Sequence, residues 1–217
     1  MKRHWFVRMV AALLAAQASC CVTVPAQIRI TAKSGVTVIL DAPKRTYEIT
    51  VARLPWKFRG EIVGNVTGAK KVRGRDRLGS YSAISFTSTD GIRYLRTIRI
   101  YDNRPAIVFQ QTSGDPLRRA PNPFPVLTVH PARCSMLTFS EREFGAPPLF
   151  RAFNEPPDSS HGLHSGPLLL YDSTGSACIF SPASNFMVAS IEENGSTIRS
   201  GLTRSLQSVP RGFSEST

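Results

Sequence analysis

His161 and His164 stand three residues apart in His161-Gly162-Leu163-His164. That spacing offers two of the three or four ligands a zinc ion needs. No cysteine or acidic pattern completes the set, so the pair reads as solvated loop histidines and no metal is expected. Glu141 and Glu143 pose a second question, because residues i and i+2 on a strand face the same way. Glycosidases hold two carboxyls about 5 Å apart for retention and further apart for inversion. Arg142 and Phe144 beside them are ordinary strand content, and charges alternating on an exposed face account for the pattern better than a dyad. Glu192 and Glu193 point to opposite faces if extended. His130 precedes Pro131 without a serine and aspartate context, and no Gly-x-Ser-x-Gly elbow, P-loop or dinucleotide glycine pattern is present. The residues therefore predict no catalytic site, no metal and no cofactor.

Elements must position whatever the chain does use, and its start is set apart from them. Lys2, Arg3 and Arg8 make a positive start ahead of an apolar run at 9–16, and Ala16-Gln17-Ala18 has the small-x-small form a signal peptidase accepts. Residues 1–18 are thus expected to be a signal peptide, with Val24-Pro25-Ala26 giving an alternative cut after 26. The run is too short for the ~20 residues of a spanning helix, so no membrane span is expected and the product is expected to be secreted or otherwise exported. A cut near Cys20 and Cys21 leaves Cys134 and Cys178 as an even pair, a disulfide candidate in an oxidising compartment. Asn65-Val66-Thr67 and Asn194-Gly195-Ser196 are glycosylation acceptors in a eukaryotic host.

The net charge of the 217 residues is +12; three of those charges lie in the leader, which leaves +9. Arginine dominates, and the surplus attracts polyanions weakly through the summed field. Its densest stretch, Lys70-Lys71-Val72-Arg73-Gly74-Arg75-Asp76-Arg77, lacks the interleaved aromatics of a base-stacking surface and reads as a solvated loop.

Past the leader the apolar period is two. Val36, Val38 and Leu40, then Tyr47, Ile49 and Val51, then Ile84 and Phe86, then Ile98 and Ile100 each recur on alternate positions. Asp90-Gly91, Ser173-Thr174-Gly175 and Asn194-Gly195 fall between such runs and predict hairpins. The chain is accordingly expected to be all-β, an antiparallel sandwich over 27–207. Four prolines exclude a central strand from 115–125, and five make 144–167 a long irregular loop suited to binding.

Three groups of residues resemble the N-terminal, supersandwich-like domain of raffinose synthase and α-galactosidase-like glycoside hydrolases. They are Gly91-Ile92-Arg93-Tyr94 through Asn103-Arg104-Pro105-Ala106-Ile107-Val108-Phe109-Gln110-Gln111-Thr112; Ser165-Gly166-Pro167-Leu168-Leu169-Leu170-Tyr171-Asp172 with Phe180-Ser181-Pro182-Ala183-Ser184-Asn185-Phe186-Met187-Val188-Ala189; and Gly201-Leu202 with Ser208-Val209-Pro210-Arg211-Gly212-Phe213-Ser214. In that family the sandwich precedes a (β/α)₈ barrel that holds the catalytic aspartates. The resemblance therefore implies a non-catalytic domain that packs against such a barrel and shapes the rim of its substrate site. Residues 208–217 would be a connector towards a barrel absent from these 217 residues, and an apolar docking patch would lie near Leu149, Phe150 and Phe153. Two other readings stay open: a free-standing lectin-like module that holds carbohydrate, and a structural or interaction domain whose basic surface meets a polyanion. Trp56 is the one tryptophan outside the leader, which counts mildly against a stacking sugar site.

Overall fold

The structure, a computed structural model, describes residues 27–52, 54–130, 134–138, 149–152, 167–185, 189–194, 197–202 and 206–217. The expected leader, Glu141, Glu143, His161 and His164 lie outside them. The described residues form sixteen strands: β1 Gln27–Thr31, β2 Val36–Asp41, β3 Thr46–Val51, β4 Lys57–Glu61, β5 Asn65–Asp76, β6 Gly79–Thr89, β7 Arg93–Tyr101, β8 Ile107–Ser113, β9 Val126–His130, β10 Ser135–Thr138, β11 Leu149–Ala152, β12 Leu168–Tyr171, β13 Ala177–Phe180, β14 Ala189–Asn194, β15 Thr197–Leu202 and β16 Ser214–Ser216. They form sheets ordered β1-β2-β3-β4-β9-β15-β14, β16-β8-β7-β6-β5 and β11-β10-β12-β13. Every pairing is antiparallel, as the period-two pattern requires.

Alternation places Ile28, Ile30, Val38, Leu40, Ile49 and Phe58 of the first sheet against Ile84, Phe86, Ile98, Ile100 and Phe109 of the second, all buried in one core. The third sheet adds Met136, Leu170 and Phe180 to it, with the Phe58 and Phe180 rings 5.9 Å apart. Trp56 is buried rather than available for stacking, and its indole Nε1 donates to Asp172 Oδ2 at 2.5 Å. Asp172 in turn accepts from the backbone N–H groups of Thr174 and Ser176, fixing the β12–β13 turn against the first sheet.

All three hairpins form. The register Thr89↔Arg93 leaves a three-residue loop at Asp90-Gly91-Ile92 rather than a two-residue one, and Asn194↔Thr197 leaves Gly195 and Ser196 between β14 and β15.

Four expectations need correction. The basic stretch 70–77 is not a loop: 70–76 belong to β5, the edge of the second sheet, where exposed cations alternate with half-buried Val72 and Gly74. Leu149–Ala152 within the expected loop 144–167 is strand β11, paired with β10. Residues 208–217 do not lead away as a connector, so the sandwich does not stop at 207. Val209 exchanges backbone hydrogen bonds with Leu117, β16 pairs with β8, and Thr217 N–H donates to Phe109 O at 3.0 Å. Pro210 and Gly212 break only the approach to that strand.

Cys134 and Cys178 are separate thiols rather than the expected disulfide. Cys134 lies one residue before β10 and Cys178 on β13, the two strands that flank β12. Strands two apart are about 9.6 Å from each other, beyond the ~7 Å limit for bridged Cα atoms. Burial pushes the Cys134 thiol up to about 11, helped by the Asp172 charge, and burial alone pushes Cys178 up to about 12. Alkylation of denatured, unreduced protein should therefore label both cysteines; a peptide linked through them would overturn the assignment.

Tyr47 lies flat over Gly60, its directly paired neighbour on β4. A Cβ on Gly60 would sit 1.9 Å from Tyr47 Cζ, inside the ring. Gly60→Ala should destabilise the fold by about 1–3 kcal/mol in urea unfolding, as overpacking does. The loss should shrink in a Tyr47→Leu background, where a double-mutant cycle isolates the clash.

Candidate functional site

Two arrangements of polar side chains stand out, one buried and one open, and both lie towards the same end of the sandwich. The buried one follows from register. Phe86, Arg96, Gln111 and Glu215 are direct cross-strand partners on β6, β7, β8 and β16, so they form one row on the inward face of the second sheet. Arg96, Gln111 and Glu215 are 1%, 2% and 6% exposed. Arg96 Nε donates to Gln111 Oε1 at 2.7 Å, and Gln111 Nε2 donates to Glu215 Oε1 and to Asn122 O, both at 2.8 Å. The guanidinium also stacks 4.9 Å from the Phe124 ring centroid and 5.2 Å from that of Tyr94. Such desolvated cation–π contacts contribute about 1–2 kcal/mol each.

Phe124 is held from every side. Its ring meets those of Tyr47, Phe86 and Phe109 edge-on, at 6.2, 6.2 and 5.6 Å. It belongs to the proline-rich segment 115–125, which contains a cis Phe124–Pro125 bond and is hydrogen-bonded to β15 through Ser200. This row seats the Phe124 ring and anchors β16 at the edge of the second sheet; it is buried architecture, with Arg96 Nη2 and Glu215 Oε2 left without partners among the described residues.

The open arrangement is a groove of about 640 Å³ where the β2–β3, β4–β5 and β6–β7 connections converge. Lys44, Arg45, Arg59, Glu61, Asn65 and Asp90 supply its polar lining. Arg45 takes a left-handed conformation at φ 56°, and its carbonyl accepts from Ile62 N–H at 2.8 Å, which ties two of the three connections together. Gly64, at φ +88°, lets the third come close: a Cβ there would lie 2.4 Å from Thr89 O. Lys44 Nζ is 3.1 Å from Asp41 Oδ2, while Arg59, Glu61, Asn65 and Asp90 are exposed.

Asn65 opens β5 on the groove wall with its side chain exposed, while Asn194 closes β14. Among the described residues no group of three or more His, Cys, Asp or Glu could hold a metal ion, and no helix is long and apolar enough to cross a membrane. Sequence reasoning missed both arrangements. The buried row did leave a signal: Arg96 occupies an inward position in the alternation Tyr94, Arg96, Ile98, Ile100. The groove left none, because its residues come from three separate connections and from the ends of the strands beside them.

Burial pushes the Glu215 carboxyl up to about 7, against the opposing pull of the Gln111 hydrogen bond and the Arg96 charge. The folded state therefore binds this proton more tightly than the unfolded chain does. Its contribution to stability is full below the usual carboxylate range and falls as pH rises towards 7. Glu215→Gln should flatten stability between pH 4.5 and 7, removing a dependence of up to about 3 kcal/mol. Denaturant midpoints across that window decide it, and an unchanged slope in the variant would count against the assignment.

No protein-family model, curated protein or solved structure matches the chain.

Proposed function

We propose that this chain is a non-catalytic β-sandwich module of a sugar-processing system, and that it works through the groove between its β2–β3, β4–β5 and β6–β7 connections. The observation that carries this reading is the groove's lining. Guanidinium, carboxylate and amide groups of Arg59 and Glu61 on β4, Asn65 at the start of β5 and Asp90 in the β6–β7 connection are exposed and can donate to and accept from neighbouring hydroxyls. That chemistry suits a polyhydroxylated ligand. Trp56, Phe58, Tyr94 and Phe124 are all committed to the core, so recognition would rest on hydrogen bonds rather than on stacking.

The resemblance to the sandwiches of α-galactosidase-like enzymes supports the same assignment and names the partner. A barrel docked beside the groove would have its substrate rim extended by these side chains.

The full chain should leave nitrophenyl α-galactoside unhydrolysed, and it should bind a subset of neutral oligosaccharides on a glycan array. Arg59→Ala should weaken that binding about tenfold, the value of one charge-assisted hydrogen bond. Turnover by the chain, an empty array, or binding indifferent to Arg59 would each sink the reading.

A further inference from the structure

The geometry points to a second interaction surface, a cationic ridge along β5 that binds an extended acidic polysaccharide. Among the described residues β5 is the edge of the second sheet and pairs only with β6. Lys71, Arg73 and Arg75 pair with Ile84, Ser82 and Ser80, so the three cations project from one face. All three are exposed. Strand geometry spaces them about 6.8 Å apart, in a straight line of about 14 Å. Arg77 in the β5–β6 turn and Lys33 in the β1–β2 turn stand at the end towards which that line runs, opposite the groove.

The nearby acids are engaged elsewhere. Asp76 Oδ2 accepts from Tyr101 Oη at 2.8 Å and lies 3.6 Å from Arg99 Nη1. Asp102 Oδ1 accepts from Lys33 N–H at 3.3 Å. Among the described residues the ion pairs are Lys44–Asp41 and Arg99–Asp76, so none of the three ridge cations has a carboxylate partner.

A regular line of unpaired cations is complementary to a linear polymer that carries one negative charge per unit. Two features select a glycan over a nucleic acid. The aromatic rings that β6 and β7 carry on that inward face, Phe86 and Tyr94, are buried in the core and offer no base a platform, and the positions paired with the ridge are the Ser80 and Ser82 hydroxyls, which suit sugar hydroxyls, and the buried Ile84. The three inward-facing cations also discourage a second copy of the chain from pairing with this edge. This surface is independent of the groove, which lies at the other end of the sandwich.

Polygalacturonate, a linear uronate polymer, is the probe. The full chain should bind it with a salt dependence that weakens by about two in log–log slope when Lys71, Arg73 and Arg75 are all replaced by Gln, with at least tenfold loss of affinity. A charge-matched control, Lys57→Gln, Arg118→Gln and Arg119→Gln, should retain wild-type affinity. Amide shifts on titrating the unmodified protein should centre on β5 and β6, which tests the site without any variant. Equal loss in the control, shifts centred elsewhere, or tighter binding to poly(dT) than to polygalacturonate would each overturn the proposal. None of these outcomes bears on neutral-sugar binding in the groove.

Discussion

The sandwich is organised around a charge that has been taken out of water. Arg96 lies between the sheets, where an unpaired guanidinium would cost several kcal/mol. Its surroundings answer that cost piece by piece: Gln111 Oε1 accepts from Nε, the Phe124 and Tyr94 rings face the cation, and the Gln111 amide links it onward to the Glu215 carboxyl. Each compensation recruits a different part of the chain. Gln111 carries β8, Phe124 the proline-rich segment, and Glu215 the last strand. One buried cation thus explains why three remote segments meet at the same place, and why 115–125 turns its Phe124 ring into the core while Pro116, Arg118 and Arg119 stay exposed.

The same end of the molecule carries the groove, and the two are connected mechanically. Tyr94 and Ser113 form the row next to Arg96 and Gln111, one step closer to the groove end, and Asp115 Oδ2 accepts from Arg93 N–H at 3.1 Å. The connections that shape the groove therefore rest on a rigid floor. Exposed polar groups held on such a base lose little conformational freedom when a ligand arrives, which favours recognition by hydrogen bonds alone.

Much of the fold was legible because its signal is local. Val36, Val38 and Leu40 show their inward face by alternation, and Gly91 and Gly175 mark the turns of their hairpins. What was misread depends on partners far away in sequence. Residues 70–77 look like a loop because their exposed face is almost wholly cationic, and only pairing with β6 makes 70–76 a strand. The segment 208–217 looks like a tether because Pro210, Gly212 and four small hydroxylated residues carry no apolar period. Its anchors are backbone hydrogen bonds to β8 and one buried carboxylate, neither of which composition reveals. The pairing expected for Cys134 and Cys178 failed for a related reason: an even count says nothing of the strand that lies between them.

The contact between Tyr47 and Gly60 has a consequence for how this sequence can drift. The ring occupies the volume that any side chain at position 60 would claim, so neither position is free to vary by itself. A larger residue at 60 becomes tolerable only after 47 has shrunk, and a smaller residue at 47 opens a void until 60 fills it. Lineages descended from this chain should keep the two as a matched set or exchange them together, and intermediates carrying only one change should be rare. Such correlated replacement would identify distant kin even where the remaining residues of β3 and β4 no longer align.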